Sequence, residues 1–410
     1  MKEDGNPIGR AVARRLPRYL PSLVVFVGGT AGLVVADAVI ARLGTAVEVE
    51  AWVALKALVM LAGAIALGGL EQIILREPYH APRLARWAAI NLTAVAAVTA
   101  AGAYFLNFYR IPSAAFLAIF GFGASAIAAS FLRSRLHLFS AQTARDGWKL
   151  LLLFAVWPVW HVAGLPLQWL LVLSLAAAIA IAVSLPRGAG DRPLVQHQHD
   201  ARSYAGAMRA GFPFLMSATG LAVGSYGELF LIRTFGTPEV IHGYFQAVIL
   251  FAYPSVMLNA FVGHMLGPEI RQSPAAASAF MRRSRAWLAA AAIGIPVAVL
   301  IFGRVAEAVA FPDNHAPWWL ALLLSATGGL RIAYIPASLF IGILGDGDQL
   351  RRIMSRYFVA ALATLPVCAG LVAAGVPVAA AVALTGLAHW LFRAAIGWTM
   401  TARIIDDHAR

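Results

Sequence analysis

The chain has 410 residues, of which 60% are hydrophobic and 12% are charged. Soluble globular domains carry about 25% charged residues, so this composition excludes a soluble fold and indicates an integral membrane protein. The net charge of +13 does not indicate nucleic-acid binding, because the basic residues lie in short runs between apolar segments. A single cysteine, Cys368, excludes an internal disulfide and a thiolate metal cluster.

The apolar runs predict transmembrane helices, because they are long enough to cross a hydrocarbon core about 30 Å thick. Residues 1–18 are polar and basic, and are predicted to form a partly helical segment at the lipid headgroups. Twelve spans are predicted to follow, at residues 19–42, 52–75, 84–106, 112–134, 147–163, 165–185, 211–234, 239–264, 284–303, 317–344, 355–374 and 376–401.

The basic residues predict the orientation of these spans. Of the 32 Lys and Arg residues, 25 lie on alternate loops and at the two termini, four lie on the opposite loops and three lie inside spans. The positive-inside rule then places both termini in the cytoplasm. The longest connection, 186–210, contains His197, His199 and Asp200. We interpret it as a solvated linker and predict no metal site there, because residues in a flexible segment lack supporting contacts.

The sequence contains an internal repeat at an offset of 192 residues, which relates 213–269 to 21–77. The two copies share an opening proline, a Gly-Thr turn, and a G-x-x-x-G face formed by Gly28 and Gly32 in one copy and by Gly220 and Gly224 in the other. Parallel repeats of six helices are a recurring transporter plan with the working site between the halves. The predicted organisation is an N-terminal lobe at 1–190, a cytoplasmic linker at 191–210 and a C-terminal lobe at 211–410.

Two short segments carry a family resemblance. The segments are Phe235-Gly236-Thr237-Pro238-Glu239 with Gly243-Tyr244-Phe245, and Gly69-Leu70-Glu71 with Arg76-Glu77. Together with the count of twelve spans, they resemble the Wzx-type polysaccharide flippases of the multidrug/oligosaccharidyl-lipid/polysaccharide superfamily. The chain departs from the family at the acid–arginine pair often found in the seventh helix. Here Leu229 follows Glu228, and Arg233 comes five residues after the acid.

The resemblance implies an all-α transporter of the bacterial inner membrane, with two six-helix lobes around a cavity that opens to alternate sides. Its substrate would be an undecaprenyl-diphosphate-linked oligosaccharide, flipped to the periplasmic leaflet for O-antigen or exopolysaccharide biosynthesis. Such a protein makes or breaks no covalent bond and needs no cofactor. Its partners would be this substrate, membrane lipids and other polysaccharide-assembly proteins, with no nucleic acid among them.

Three cations inside the predicted spans are candidate substrate-binding residues: Arg331, Arg393 and Lys56. Charged groups in the membrane are costly and usually face a cavity or a partner. An arginine fork matches the oxygens of a diphosphate. The alternative is that these cations reach toward the headgroups or neutralise a structural acid.

Two acids, Asp37 and Glu228, are predicted near the outer ends of their spans, at similar depths in the two copies of the repeat. They are candidates for coupling transport to H⁺ or Na⁺, since burial and neighbouring cations tune such sites. The alternative is a structural pair between Asp37 and Lys56, which enter from the same side.

Two other functions compete with the flippase. A drug/cation antiporter of the same superfamily would favour an acidic cavity, whereas the three cations outnumber the two acids. A membrane glycan polymerase or ligase tends to carry a large outer loop for its catalytic residues, and here the predicted outer loops are short.

Overall fold

The structure, a computed structural model, describes residues 7–135, 137–185, 203–256, 258, 274–344 and 347–407. The elements in these residues are helices, with no β-strand among them. Ten segments are long and apolar enough to cross a membrane. The prediction of an all-α, multi-pass membrane protein is therefore confirmed.

The N-terminal half, described up to residue 185, is built from long helices joined by short connections. A 3₁₀ turn, Pro78–His80, precedes α4, and a π-helical segment, Val156–Val162, continues α6. The α-helices are α1 (Pro7–Leu43), α2 (Ala46–Ala66), α3 (Leu70–Arg76), α4 (Ala81–Phe105), α5 (Pro112–Ser134), α6 (Leu138–Ala155) and α7 (Leu167–Ser184).

The C-terminal half begins at residue 203 and has longer helices on average. Its described α-helices are α8 (Tyr204–Phe235), α9 (Pro238–Phe251), α10 (Pro274–Ala310), α11 (Trp318–Leu344), α12 (Gly347–Ala373) and α13 (Val378–Asp407). Residues 204–210, predicted as part of the linker, belong to α8, whose first turn is capped by the side chain of Ser203. The remainder of the predicted linker, with His197, His199 and Asp200, lies outside the described residues.

Ten of the twelve predicted spans coincide with the ten candidate membrane helices. The fifth does not, because α6 carries Arg145, Asp146 and Lys149 and its apolar end is π-helical around Pro158. Proline lacks the N–H that an α-helix requires at that position. For the eighth, α9 ends at Phe251, and residues 259–264 of the prediction lie outside the described residues.

The first helix differs from the prediction at its start. Residues 7–18 were expected to form a separate segment before the first span, but they belong to the same continuous helix, α1. The run from Arg10 to Leu16 consists of Arg, Ala, Val and Leu. Most of these residues are good helix formers, and the helix continues through Pro17 and Pro21 into the span.

The second helix begins and ends earlier than predicted. Thr45 and Glu48 form a capping box, in which each side chain accepts a hydrogen bond from the other residue's backbone N–H. This starts α2 at Ala46 instead of residue 52. The helix then stops before two consecutive glycines with positive φ, Gly68 at 63° and Gly69 at 78°. The chain resumes as the separate helix α3.

The glycine break is held against the C-terminal half. A Cβ on Gly69 would lie 2.8 Å from the backbone nitrogen of Leu215 and closer still to the carbonyl oxygen of Gly211. A Cβ on Gly211 would in turn lie 2.7 Å from the carbonyl oxygen of Gly68. The backbone of the α2–α3 break is therefore in direct contact with the backbone of α8, an approach that only glycine permits.

Replacing Gly69 by alanine is expected to lower the thermal stability of the protein in detergent strongly. The substitution adds the backbone strain of a positive φ and forces α3 away from α8. Gly375→Ala is the matched control, because Gly375 has a φ of 84° but no atom within 4 Å of its Cβ position. Equal losses of melting temperature in the two variants would show that the contact with α8 contributes nothing.

Helix packing within each half is extensive. In the N-terminal half α1 packs on α6, α4 packs on α5, and α7 packs on both α5 and α6. In the C-terminal half α8 packs on α12, α10 packs on α11, and α13 packs on both α11 and α12. The halves meet mainly along α2, which packs on α8 and α9.

Candidate functional site

The contact between the halves has two ends, which we name by their residues. The Thr45 end contains the C-terminus of α1, the start of α2 and the α8–α9 turn at Gly236. The basic end contains the α2–α3 break, Arg76 and the start of α8. The predicted site residues lie between these ends.

Asp37 and Lys56 form a buried ion pair between α1 and α2. The other carboxylate oxygen of Asp37 accepts a hydrogen bond from the indole Nε1 of Trp52 at 2.9 Å. Lys56 also donates to the hydroxyl of Tyr253, just beyond α9 in the C-terminal half, at 2.9 Å. The structure thus pairs a candidate ion-coupling acid with a candidate substrate-binding cation, and the pair contacts both halves.

Lys56 lies deeper than the sequence indicated. Because α2 begins at Ala46, Lys56 lies ten residues into the helix instead of five, which places it about 15 Å along the axis at 1.5 Å per residue. It lies 4.7 Å from the centre of the Tyr253 ring and 5.6 Å from that of Phe245. An ammonium group at this depth is held by one carboxylate and by aromatic faces.

Replacing Lys56 by methionine is expected to destabilise the protein by ~3–5 kcal/mol, because it leaves the carboxylate of Asp37 buried without its cation. The double variant Asp37→Asn, Lys56→Met should recover most of this loss, since asparagine still accepts from Trp52 and no charge remains. Thermal unfolding of the purified variants measures both effects. If the double variant is no more stable than the single one, the charges are not energetically coupled.

A second buried pair joins α8 to α11. Nη2 of Arg331 lies 2.9 Å from Oε1 of Glu228 and donates to the carbonyl oxygen of Gly224 at 3.1 Å. The hydroxyl of Tyr244 donates to the other oxygen of Glu228 at 3.1 Å. Of the five predicted site residues, four are therefore joined in two buried pairs, and Arg393 is the fifth.

Arg393 is buried, with 2% of its surface exposed, and in the described residues it has no carboxylate partner. Aromatic rings surround its guanidinium group, with ring centres 4.4 Å away for Tyr357, 5.0 Å for Tyr334 and 5.4 Å for Trp390. Nη2 donates to the hydroxyl of Tyr334 at 3.3 Å. Nε and Nη1 have no hydrogen-bond partner among the residues that the structure describes. This arginine is a buried positive charge with two unused donors.

His389, one helical turn before Arg393 on α13, was not identified from the sequence. It is 5% exposed, and its ring lies against the backbone of Gly220 on α8 and of Ala360 on α12. Two polar residues four apart in an apolar helix share one face, and that spacing was the available signal. Arg393 and His389 together bring two basic side chains to one face of α13.

The glycines of α8 make room for these two side chains. A Cβ on Gly220 would lie 3.0 Å from Nη1 of Arg393, and a Cβ on Gly224 would lie 3.0 Å from Nε2 of His389. In the first copy of the repeat, Gly28 and Gly32 instead face leucine side chains of α6. The same G-x-x-x-G pattern therefore admits apolar side chains in one half and basic side chains in the other. We refer to Arg393, His389, Gly220 and Gly224 as the basic pocket.

The halves are joined by polar contacts at the Thr45 end. Nη2 of Arg233 lies 3.1 Å from Oε1 of Glu50 and 3.3 Å from the carbonyl oxygen of Asn107. The carbonyl oxygen of Ala41, in the last turn of α1, accepts from Nε2 of His242 at 2.7 Å and from Nε2 of Gln246 at 3.2 Å. Carbonyls in the last turn of a helix lack intrahelical donors, and here the other half supplies them.

The halves are also joined at the basic end. The hydroxyl of Tyr204 donates to Oδ1 of Asn91 at 2.7 Å. The guanidinium group of Arg76 lies 4.5 Å from the centre of the Phe214 ring. Together with the contact of Gly69 on Gly211, these interactions hold α3 and α4 against α8. The two halves therefore touch at both ends of the described structure.

Within the described residues, no group of three or more His, Cys, Asp and Glu side chains could hold a metal ion. No protein-family model matches the chain, and the search of curated proteins also finds no match.

Proposed function

We propose that this protein is a transporter that flips an undecaprenyl-diphosphate-linked oligosaccharide across the membrane by alternating access. It makes and breaks no covalent bond, and H⁺ or Na⁺ coupling through Asp37 or Glu228 would drive the cycle. The basic pocket is the observation that carries the proposal. A buried arginine with free donors is costly unless an anion joins it during part of the cycle.

The architecture we propose is two six-helix lobes in parallel repeat. Matched packing supports it: α1 on α6 corresponds to α8 on α12, α4 on α5 to α10 on α11, and α5 on α7 to α11 on α13. In each comparison, the matched helices occupy the same positions in the chain order of their halves, with α2 and α3 counted as one. The offset of 192 residues and the matched packing are independent observations, one from sequence and one from contacts.

A diphosphate fits the chemistry of the basic pocket. Nε and Nη1 of Arg393 are two unpaired donors of one planar guanidinium group, and guanidinium donors form strong hydrogen bonds with phosphate oxygens. The aromatic rings around it exclude water, which strengthens the attraction of opposite charges. Lys56 and Arg331 are already paired with acids, so Arg393 supplies the excess positive charge.

The contacts at both ends suit alternating access. A transporter of this kind must separate its halves at one end while they stay together at the other. The contacts of Arg233 with Glu50 and of Tyr204 with Asn91 are few, polar and partly exposed. Exposed ion pairs contribute only about 0–1 kcal/mol each, so the pair of Arg233 and Glu50 adds little to the cost of opening the Thr45 end.

The proposal is tested by reconstituting the purified protein in liposomes. A fluorescent undecaprenyl-diphosphate glycan should cross the bilayer faster than in protein-free vesicles, and a cationic dye should not accumulate under a proton or sodium gradient. Gradient-driven accumulation of the dye without movement of the glycan would identify a drug/cation antiporter. Movement of neither would overturn the proposal.

A further inference from the structure

A groove in the N-terminal half, away from the basic pocket, has the character of a lipid site. It lies between α4 and α5 near the end of α7 and has a volume of about 340 Å³. Its walls are apolar and include Ala89 and Leu92 of α4 and Phe120, Ala124 and Ile127 of α5. Sites for small molecules have volumes of about 300–1,000 Å³ and mostly apolar walls with few polar groups.

The side of the groove faces outward along the membrane-spanning part of the helices. Both α4 and α5 belong to candidate membrane spans. Ile90, next to the groove residue Ala89, is 57% exposed, and Val98, farther along α4, is 73% exposed. Exposed apolar side chains on a membrane-spanning helix face lipid, so a chain entering this groove would come from the bilayer.

The polar groups of the groove are basic and lie at one end of it. Arg135 and His137 line this end, directly after α5. Their backbone N–H groups both donate to the carbonyl oxygen of Leu132, at 3.2 Å and 3.0 Å, which holds them in one tight turn. The guanidinium group of Arg135 lies 4.5 Å from the centre of the Phe131 ring, another wall residue. Its charge is thus anchored at the groove.

The same end of the groove also meets the start of a helix. Residue His137 is the N-cap of α6, which begins at Leu138. The first N–H groups of a helix have no intrahelical acceptor and favour negative charge. An anion beside Arg135 and His137 would therefore meet two basic side chains and a helix N-terminus.

We propose that this groove binds an anionic phospholipid, with an acyl chain between α4 and α5 and the phosphate beside Arg135 and His137. Basic pockets between membrane helices on the cytoplasmic side recognise anionic headgroups, and the positive-inside bias assigns the end with Arg135 to that side. The site is separate from the basic pocket. It does not depend on the proposed transport function.

Native mass spectrometry tests the headgroup part of the proposal. Purified protein is mixed with equal amounts of phosphatidylglycerol and phosphatidylcholine, and the retained lipids are counted. The wild type should prefer phosphatidylglycerol, and Arg135→Gln should lower that preference roughly tenfold, the value of one charge-assisted hydrogen bond. Arg352→Gln, which removes an exposed arginine from α12, is the matched control and should leave the preference unchanged.

A photoreactive phosphatidylglycerol with its reactive group at the end of an acyl chain tests the groove itself. Labelling should concentrate in residues 120–132 of the wild type and fall in Ala124→Trp, which fills the groove. Arg135→Gln should reduce the labelling without moving it, so the test does not depend on the bulky variant folding normally. Equal retention of the two lipids by the wild type, an unchanged preference in Arg135→Gln, or labelling spread over all helices would each overturn the proposal.

Discussion

Replacing Arg393 by methionine is expected to reduce glycan transport roughly 10- to 100-fold, since charged hydrogen bonds contribute about 1.5–3 kcal/mol each. The same change should raise the melting temperature of the protein without substrate. Arg393 is a buried charge with no carboxylate partner in the described residues, and removing such a charge relieves its desolvation cost. Liposome flipping and thermal unfolding of one preparation measure the two effects together.

Arg331 provides the matched comparison. Arg331→Met should lower the melting temperature, because it leaves Glu228 buried without its cation. The double variant Arg331→Met, Glu228→Gln should regain stability, and it should transport the glycan if this pair is structural. Arg393→Lys should keep part of the activity, because the charge remains but the planar fork is lost. Normal transport by a well-folded Arg393→Met variant would exclude the basic pocket as the substrate site.

Inorganic pyrophosphate gives a readout that a purely structural role of Arg393 would not change. A ligand that binds the folded state alone raises its stability by mass action. Pyrophosphate should therefore raise the melting temperature of the wild type and have no effect on Arg393→Met. An equal effect on both proteins would place the anion elsewhere.

Linking the halves at either end is expected to stop transport completely. Cysteines at positions 50 and 233 would replace the pair of Glu50 and Arg233 at the Thr45 end. Cysteines in place of Asn91 and Tyr204 would do the same at the basic end. A short bifunctional maleimide would join each pair, after Cys368 is replaced by alanine. If the halves must separate alternately at the two ends, each link holds one end closed.

The control for these links joins two helices of the same half. Arg133 of α5 and Gln142 of α6 lie 3.5 Å apart between Nη2 and Oε1, and linking cysteines at these positions should leave transport near its normal rate. The extent of linking is measured by mass spectrometry in every sample. Full transport by a protein that is completely linked at the Thr45 end or the basic end would show that the halves need not separate there.

The charges inside the spans could be located from the sequence, but their partners could not all be predicted. Apolar runs located Arg331, Arg393 and Lys56 inside the membrane, because spans are defined by length and hydropathy alone. Whether each cation has an acid partner depends on how the helices pack. Asp37 and Lys56 are 19 residues apart along the chain, and Glu228 and Arg331 are 103 residues apart. The sequence suggested the pair of Asp37 and Lys56 as an alternative, but it contained no signal for the pair of Glu228 and Arg331.

Local signals in the sequence mark both ends of α2, but the predicted span did not take them into account. The capping box of Thr45 and Glu48 and the Gly68-Gly69 pair both predict the limits of α2 from short-range chemistry. They correct the predicted span 52–75 to a helix from Ala46 to Ala66. The depth assigned to Lys56 was wrong for the same reason.

The sequence by itself determined that this is a multi-pass helical membrane protein, because the energetic cost of polar groups in lipid limits every span to long apolar runs. It also indicated a repeat, since matched glycines and turns recur at one offset. Only the tertiary structure decided that Arg393, alone among the three predicted cations, has no carboxylate partner in the described residues, and that His389 lies beside it. A buried charge is neutralised through space by whichever helix lies against it, and that neighbour is not encoded at any fixed distance along the chain.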